Sequence, residues 1–484
     1  MKTLTADVVV IGSGPSGLSA AAQASEDGAK VVVFEKANVS GGAANMGMGP
    51  LGIGTKHQQD MMVDIDVKSA FKEFMEYTHW RSDARMVKKY FENSADTIKW
   101  LEESCGVEFA GAYKYFPKSH ETWHIVAVNG GIGRNGGAIM NKHIREYAEE
   151  NGTEFLMETP AKKIVKSDDG KICAVIGTDA SGEEVRCDCK AVVIATGGCG
   201  DNPQMIKERT GYEFQKNMFN FAIPGLKGDG IKMAAEAGAG TTPMNVEMMY
   251  ILPNSDAGPD CIPAVFMQPN LLVNKLGQRF IDEEQMQNTT FTGNAISFQK
   301  DAIAFSIIDS KIAKYYMKKG VDVVNFVHHP DDVADFAEAV DNSIANDNPD
   351  VVKADTIEEL AEKLGVDAEA LQDTIDEYND MCETGDNLFY KPSKYMRPIE
   401  KAPFYAAKFR PGAYGTLGGI KINEDAQVLT QEWEKVPGLF AAGTDTCTIY
   451  GDSYMFLMPG NTMGYCINTG RFAGSSAAEY AQED

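Results

Sequence analysis

Three glycines and one acid near the start of the chain form the residue pattern with the most specific chemistry. The glycines are Gly12, Gly14 and Gly17, and Glu35 follows eighteen residues after the last of them. Glycines let a turn close tightly and let backbone approach a pyrophosphate, while the start of a following helix offers free N–H groups to that phosphate. An acid at this distance can accept hydrogen bonds from a ribose diol. The spacing therefore predicts a dinucleotide-binding turn, with Ser16 among its contacts.

The segments around these residues predict the elements that would position them. Residues 6–11 form an apolar run that is typical of a buried parallel strand. Residues 18–26 predict a helix, and residues 30–34 predict a second strand that ends at the acid. The glycine pattern is weak evidence alone, but it is specific in this strand–turn–helix–strand context.

Size, charge and hydropathy exclude several classes of protein. A chain of 484 residues is expected to form two or three domains. The net charge of -25 argues against nucleic acid or an anionic membrane as partners. No apolar run is long enough to span a membrane, and the start leaves no room for a signal peptide. The scattered cysteines fit a reducing compartment, so we expect a cytoplasmic protein.

Cysteines and histidines predict packing rather than metal binding. Cys187 and Cys189 share one face of a predicted strand, where packing is expected and a redox role stays open. His328 and His329 precede a proline in a loop-like stretch and are expected to be solvated. We therefore predict no metal site.

Four later segments also place glycine where a predicted strand ends or where a predicted helix begins. They are Thr196-Gly197-Gly198, Gly228-Asp229-Gly230, Gly443-Thr444-Asp445 and Gly460-Asn461-Thr462, the last of which begins a predicted helix. The middle of the chain differs, because it contains acidic helices such as the one that a capping box of Thr356 and Glu359 would begin. We predict a dinucleotide-binding domain in two parts, residues 1–244 and 401–484, with an inserted domain, residues 245–400.

A second run of glycines resembles the first but lacks its context. Gly131, Gly133 and Gly136 also have the spacing of a dinucleotide turn, yet no strand–helix–strand unit surrounds them. We interpret this run as a loop under the ring of the one cofactor, and no dedicated NAD(P)H domain is predicted.

Taken in order, these segments resemble the flavoprotein superfamily of fumarate reductase and succinate dehydrogenase, with single-chain members such as flavocytochrome c, urocanate reductase and 3-ketosteroid dehydrogenase. The likeness includes Glu35-Lys36, Gly41-Gly42 and the run 271–280. It implies FAD as cofactor and an α/β fold, in which a Rossmann-like FAD-binding domain carries an inserted α+β capping domain. Further FAD contacts that the resemblance implies are Lys36, Gly42, Ala43, Ala44, Met46, Gly47, Gly49, Gly136, Gly137, Ala161, Thr196, Gly197, Asp229, Gly443, Thr444, Asp445, Gly460, Asn461 and Thr462.

The chain departs from this family at the residues that decide chemistry. Some members attach FAD through a histidine in the loop that is residues 43–47 here, and this loop has none, so FAD is expected to be non-covalent. The basic residues that hold a dicarboxylate in the fumarate reductases are replaced by Leu252, Gln287, Gly415 and Leu457. Desolvating a doubly charged substrate without such partners costs several kcal/mol. We therefore expect that neither fumarate nor succinate is the substrate.

The residues at the family's substrate positions are apolar, amide or phenolic, which predicts a neutral, flat or polycyclic substrate with a carbonyl or hydroxyl group. These residues are Met248, Met249, Tyr250, Gln287, Tyr414, Tyr454, Phe456 and Leu457. Steroid or bile-acid enones and an isoflavonoid step such as tetrahydrodaidzein to equol would suit them. Plain packing stays open for each residue alone.

With the family's proton-donating arginine replaced, tyrosine is the natural acid, because its hydroxyl donates without bringing charge into an apolar pocket. The candidates are Tyr414, Tyr454 and Tyr250, with Gln287 as a polarising amide; water or the region of His120 and His124 are the alternatives. Electrons would come from an external donor, and the helix that begins at Asn461 would stabilise reduced flavin. An electron-carrying or redox-sensing subunit that works with a partner protein stays open.

Overall fold

The computed structural model describes residues 2–220, 223–254, 260–324 and 333–483. His328 and His329 lie outside the described residues, so the expectation for them is not addressed.

Strands alternate with helices in the first half of the chain and again near its end. The strands are β1 Lys2–Thr5, β2 Val8–Ile11, β3 Val31–Phe34, β4 Phe109–Tyr113, β5 Trp123–Val128, β6 Gly131–Ile132, β7 Glu154–Leu156, β8 Ala161–Lys166, β9 Ile172–Thr178, β10 Glu184–Asp188, β11 Ala191–Ile194, β12 Phe219–Asn220, β13 Asn245–Ile251, β14 Leu271–Asn274, β15 Ala304–Asp309, β16 Val351–Ala354, β17 Phe404–Leu417, β18 Gln427–Leu429 and β19 Lys435–Ala441.

The α-helices are α1 Pro15–Glu26, α2 Lys56–Asp60, α3 Val67–Tyr77, α4 Ala84–Glu103, α5 Gly136–Glu150, α6 Pro203–Thr210, α7 Asp229–Glu236, α8 Cys261–Phe266, α9 Thr289–Ser297, α10 Ser310–Lys319, α11 Phe336–Ala345, α12 Ile357–Leu364, α13 Ala368–Thr384 and α14 Asn461–Glu483. Short 3₁₀ helices lie at Gly42–Met46, Glu283–Gln287, Lys300–Ala302, Ser393–Tyr395 and Gly443–Asp445. No helix within the described ranges is both long and apolar enough to cross a membrane.

A six-stranded sheet in the order β18-β19-β11-β2-β3-β7 forms the centre of the cofactor-binding part. Every neighbouring pair from β19 to β7 is parallel, and β2, β3 and β11 are buried along their whole length. Parallel strands need both faces covered, which explains their continuous apolar runs. The predicted strand–turn–helix–strand unit is confirmed as β2, α1 and β3, and the fold is the predicted Rossmann-like α/β architecture.

The inserted part contains its own sheet, ordered β12-β17-β15-β14, with β13 and β16 also paired to β17. β17 is the long central strand of this sheet and extends to Leu417. A second hydrophobic core packs beneath it, separate from the core of the parallel sheet. The capping sheet therefore continues past residue 400, and we propose that the inserted domain ends near Leu417.

Two smaller sheets complete the described structure. β1, β10, β9 and β8 form one, and β4, β5 and β6 form the other. β6 pairs antiparallel with β5, so the second glycine run does not follow a parallel strand. This geometry agrees with its rejection as a dinucleotide turn.

Two local expectations have clear structural outcomes. Cys187 and Cys189 are buried in the apolar core, and burial raises the pKa of the Cys187 thiol to about 11, which favours packing over redox reactivity.

Thr356 caps α12 as predicted, accepting a hydrogen bond from the Glu359 N–H at 3.1 Å. The Glu359 carboxylate, however, accepts from the Asp355 N–H rather than from that of Thr356, so the capping box is only half formed.

Candidate functional site

The first glycine turn brings backbone close to two neighbours and leaves the start of α1 open. Gly12 has φ of +102°, and a Cβ there would lie 2.3 Å from the Ala195 carbonyl oxygen, so only glycine fits. Gly14 is the N-cap of α1 and has no side-chain cap, and the first turn carries no acidic residue. The N–H groups and the positive end of the helix dipole are thus available to an anion beside Ser16 and Gly17.

Glu35 lies where β3 ends and ties the turn to that strand. Its Oε2 accepts hydrogen bonds from the N–H and the hydroxyl of Ser13, both at 2.7 Å, and its Oε1 accepts from the Ala37 N–H at 2.8 Å. Next to it, the ammonium group of Lys36 forms an ion pair with Asp229 at 2.7 Å. The structure therefore brings Glu35, Lys36 and Asp229 to the same edge of the sheet.

The 3₁₀ helix Gly42–Met46 packs directly against the start of α5. A Cβ on Gly137 would lie 2.0 Å from the Ala44 carbonyl oxygen, and the Gly137 N–H donates to the Gly47 carbonyl at 2.8 Å. Gly49 accepts a hydrogen bond from the Trp123 indole at 2.8 Å. The structure thus joins two predicted sets of contacts, residues 42–49 and residues 136–137.

The Asp445 carboxylate forms hydrogen bonds within the protein. It is fully buried and accepts hydrogen bonds from the N–H groups of Thr196, Gly197 and Gly198 and from the Thr196 hydroxyl. Burial raises the pKa of Asp445, while these hydrogen bonds act in the opposite direction. Asp445 therefore holds the turn after β11 in place, and its predicted role as a direct cofactor contact stays a prediction.

Other predicted cofactor residues are distributed along the same edge. Gly443 and Thr444 follow β19, as Gly12 follows β2 and Thr196 follows β11. Ala161 is more peripheral, because it begins β8 in the four-stranded sheet. The carboxyl ends of parallel strands meet at one edge, which explains why residues so distant in sequence come together.

The start of α14 carries a polar group that lacks a protein partner. Asn461 is buried; its Oδ1 accepts a hydrogen bond from the Tyr450 hydroxyl at 2.8 Å, and its carbonyl accepts one from Tyr90 at 2.9 Å. Its Nδ2 is buried and has no hydrogen-bond partner among the described residues. Such a donor usually has a partner, so this orphan indicates the position of a bound acceptor.

The three candidate tyrosines have different surroundings. Tyr454 is buried, and its Oη accepts a hydrogen bond from the Thr462 N–H at 3.2 Å, which leaves the phenolic proton free of that bond. Tyr250 is also buried, but its hydroxyl donates to the Met286 carbonyl at 2.8 Å. Tyr414 is 45% exposed on β17. This geometry favours Tyr454 as a donor and places Tyr250 last.

Gln287 faces the capping part rather than α14. Its Nε2 donates to the Tyr395 hydroxyl at 3.4 Å. It also lines a small cavity together with Tyr115, Phe116, Tyr250, Met286 and Thr289. The structure thus brings Gln287 and Tyr250 together at one cavity.

An aromatic cluster beside this cavity joins Tyr454 and Phe456, which the sequence named, to three rings that it did not. We define it as Tyr115, Phe116, Trp123, Tyr454 and Phe456. The ring of Tyr115 packs edge-on against the ring of Phe456, with 4.8 Å between the ring centroids. The ring of Phe116 lies parallel to the Phe456 ring, with 6.0 Å between the centroids. Such pairs contribute about 0.5–1.5 kcal/mol beyond area burial. The aromatic residues at 113, 115 and 116 were the available signal.

Glu247 is a second residue that the sequence reasoning missed. It lies on β13, and its Oε1 accepts a hydrogen bond from the Thr462 hydroxyl at 2.9 Å. Burial raises the pKa of Glu247 to about 7, and the Thr462 hydrogen bond opposes this rise. An acid among the apolar residues of a strand was the signal in the sequence.

The two histidines named as alternatives are engaged elsewhere. His124 is buried, and its Nε2 lies 2.7 Å from the Thr55 hydroxyl; burial lowers its pKa to about 3, so the ring is neutral. His120 forms an ion pair with Glu73 at 2.8 Å, and that hydrogen bond is the main reason why its pKa is raised. Neither histidine is poised as a free proton donor in this geometry.

Comparison with known proteins identifies the family. The family described as FAD binding domain matches residues 7–462. The chain belongs to this family. FAD is therefore its cofactor, and the superfamily resemblance stated above is confirmed.

The relatives of this FAD-binding chain are oxidoreductases. It is 30% identical to the vinyl phenol reductase of Lactiplantibacillus plantarum, over 99% of this chain and 97% of that protein. Among solved structures, a 3-ketosteroid-Δ4-(5α)-dehydrogenase of Rhodococcus jostii RHA1 is 26% identical with a TM-score of 0.77, covering 98% and 97% of the two chains. A flavocytochrome c3 fumarate reductase is 27% identical with a TM-score of 0.72, covering 99% and 79%. The chain is an FAD-dependent oxidoreductase of this superfamily.

The residues present fit FAD. Nothing lies within 4 Å of the position that a Cβ on Gly14 would take, so there is space for a phosphate in front of the uncapped start of α1. The orphan Nδ2 of Asn461 can donate to the polar edge of a flavin ring. The loop at residues 43–47 has no histidine, and non-covalent attachment stays a prediction.

Proposed function

We propose that this enzyme reduces a carbon–carbon double bond conjugated to a neutral ring, as in a vinyl phenol or a cyclic enone. The aromatic cluster carries this proposal. Its rings offer flat apolar surface and aromatic edges to another ring, with the Tyr454 hydroxyl as a polar group beside them.

The charges around the aromatic cluster support a neutral substrate. Leu252 and Gln287, two of the residues that replace the family's cations, are buried in the capping part. The basic residues His120 and Arg81 near the cluster pair with Glu73 and Asp452, at 2.8 and 2.6 Å. Because these two cations are already paired, a dicarboxylate that lost its hydration here would not gain a free partner from them, which costs several kcal/mol.

The relatives support the same class of substrate. They include a vinyl phenol reductase and a ketosteroid dehydrogenase in complex with 4-androstene-3,17-dione, and both compounds are neutral rings. The fumarate reductases among the relatives act on a dianion, but this chain lacks their basic residues at positions 252, 287, 415 and 457. Isoflavonoids such as tetrahydrodaidzein belong to the same neutral class and remain candidate substrates; because tetrahydrodaidzein has no such double bond, hydride would have to replace its hydroxyl group, which would leave as water.

The residues then have distinct tasks. Bound FAD, once reduced by an external nicotinamide or redox-protein donor, supplies a hydride to one carbon of the double bond. Tyr454 donates its phenolic proton to the other carbon; the O–H bond breaks, a C–H bond forms and a phenolate remains. Burial raises the pKa of Tyr454, so the phenol stays protonated until charge develops on the substrate. Tyr414 and the aromatic cluster hold the ring.

Turnover with a panel of acceptors tests the proposal. The holoenzyme would be given a reduced viologen dye as donor and 4-vinylphenol, a cyclic enone, an isoflavonoid, urocanate or fumarate as acceptor. We expect at least one neutral ring compound to be reduced at ordinary enzymatic rates, about 1–1000 per second, and fumarate not to be. Ordinary turnover of fumarate would contradict the proposal, and failure of every acceptor would favour the electron-carrying alternative.

A further inference from the structure

Glu247 lies opposite a β-bulge and has no role in the proposed reaction. β13 and β17 pair Val246 with Thr416 and Met248 with Ala413, so Tyr414 and Gly415 together oppose the single residue Glu247. A bulge of this kind redirects side chains and is common beside active sites. Here it places the acid of one strand against two residues of the candidate site.

Among the described residues, no Lys, Arg or His pairs with the Glu247 carboxylate, and its hydrogen-bond partner is the Thr462 hydroxyl. The titratable groups that interact with it are Cys447, Tyr450 and Tyr454, from the segment before α14, and Cys466, from α14 itself. Its Oε2 lies 3.7 Å from the position that a Cβ on Gly415 would take, so a side chain at position 415 would contact this oxygen.

Thr462 connects Glu247 to the proposed proton donor. Its hydroxyl donates to Glu247 at 2.9 Å, and its N–H donates to the Tyr454 Oη at 3.2 Å. The Thr462 side chain also interacts with the Tyr454 phenol. A hydroxyl can rotate to donate in either direction, so Thr462 can pass a proton between the two groups.

We propose that Glu247 is a positioning residue that restores the proton of Tyr454 through the Thr462 hydroxyl after each reduction. This inference rests on the proposed function. The protonated Glu247 gives its proton to the Thr462 oxygen, Thr462 gives its own proton to the Tyr454 phenolate, and Glu247 is left as a carboxylate. Solvent then reprotonates Glu247, so no further oxidant or reductant is needed. A pKa of about 7 suits this task, because the acid both holds and releases a proton near neutral pH.

Three variants test the relay by its pH dependence. Glu247→Gln keeps the shape but supplies no proton, Thr462→Val removes the hydroxyl, and Thr462→Ser restores it. In the wild type, turnover should fall as pH rises through about 7, since the protonated acid is the active form. Glu247→Gln and Thr462→Val should lower turnover about 10- to 100-fold and should no longer show the fall in turnover near pH 7. Thr462→Ser should keep this pH dependence. Glu338→Gln on α11, an exposed acid, is the control for the change in charge.

A readout independent of activity is the infrared absorption of the protonated carboxyl group during a pH titration of the oxidised holoenzyme. A band that titrates near pH 7 in the wild type and is missing in Glu247→Gln supports the inference. If turnover in Glu247→Gln or in Thr462→Val shows the same pH dependence as in the wild type, the inference is overturned. If Tyr454→Phe lowers turnover while Glu247→Gln keeps the wild-type profile, only the relay fails; if Tyr454→Phe keeps normal turnover, the proposed donor itself fails.

Discussion

At the carboxyl edge of the parallel sheet, the residues expected to bind FAD present mainly backbone groups, whereas the residues of the proposed substrate end present mainly side chains. The first region consists of tight turns after β2, β11 and β19, where a Cβ would collide with the Ala195 carbonyl at Gly12, with the Thr416 hydroxyl at Gly198 and with the Ser16 hydroxyl at Gly443. The second consists of the aromatic cluster and the bulge opposite Glu247. Backbone turns tolerate little change and fix the cofactor, while side chains can change one at a time and alter the substrate.

The largest effect is expected from Gly12→Ala, compared with Gly14→Ala. Gly12 has a positive φ, and its Cβ would lie 2.3 Å from the Ala195 oxygen, so we expect a loss of about 2–4 kcal/mol in the free energy of unfolding and no bound FAD. Gly14 has φ of -70° and open space around its Cβ. Gly14→Ala should therefore keep apoprotein stability and only weaken FAD binding. Equal stability of the two apoproteins in thermal unfolding would contradict the steric argument.

Tyr454→Phe is expected to act at the substrate end alone. Turnover should fall about a hundredfold to ten-thousandfold, because the proton donor is lost, while FAD content and the flavin spectrum stay normal. Tyr250→Phe is the matched control, since it removes a buried hydroxyl that donates to Met286. It should cost stability but little turnover. A large loss in Tyr414→Phe with none in Tyr454→Phe would move the donor to β17.

Glu35→Ala should weaken FAD binding by roughly 1.5–3 kcal/mol, because the cofactor loses a charged acceptor and the turn loses the hydrogen bonds from Ser13 and Ala37. The dissociation constant, measured by flavin fluorescence, reports this change. Glu154→Ala on the neighbouring strand β7 is the control, and an equal effect there would show that the loss is not local.

The smallest effect is a pH-dependent change in stability. Glu247 has a folded-state pKa raised from 4.5 to about 7, so its contribution to stability is present below about pH 4.5 and is lost as pH rises through 7. Glu247→Gln cannot ionise and does not suffer this loss. In thermal unfolding with excess FAD, the free energy of unfolding of the variant should rise by about 1–2 kcal/mol relative to that of the wild type as pH rises across this range. A constant difference would contradict the raised pKa.

The cofactor end was predictable because its signals are local in the sequence. The unit of β2, α1 and β3 needs only one stretch of chain, and its glycines and acid have fixed spacing. At the proposed substrate end, the resemblance named Tyr414, Tyr454 and Phe456, but residues 115–123 and Glu247 were not found, because their proximity to these residues depends on how the capping sheet closes. The place of β17 in the capping sheet depends on its pairing with β13 and β15, which is a tertiary property, so the end of the inserted domain near Leu417 stays a proposal.

The central claim is that the substrate end accepts a neutral ring and rejects a dicarboxylate, and equilibrium binding to the oxidised holoenzyme tests it most directly. Perturbation of the flavin absorption would be titrated with 4-vinylphenol, a cyclic enone and fumarate at low and high salt. We expect at least one neutral compound to bind with an affinity that salt does not change, and fumarate not to bind. Tight, salt-sensitive binding of fumarate, with none of the neutral rings, would contradict the account.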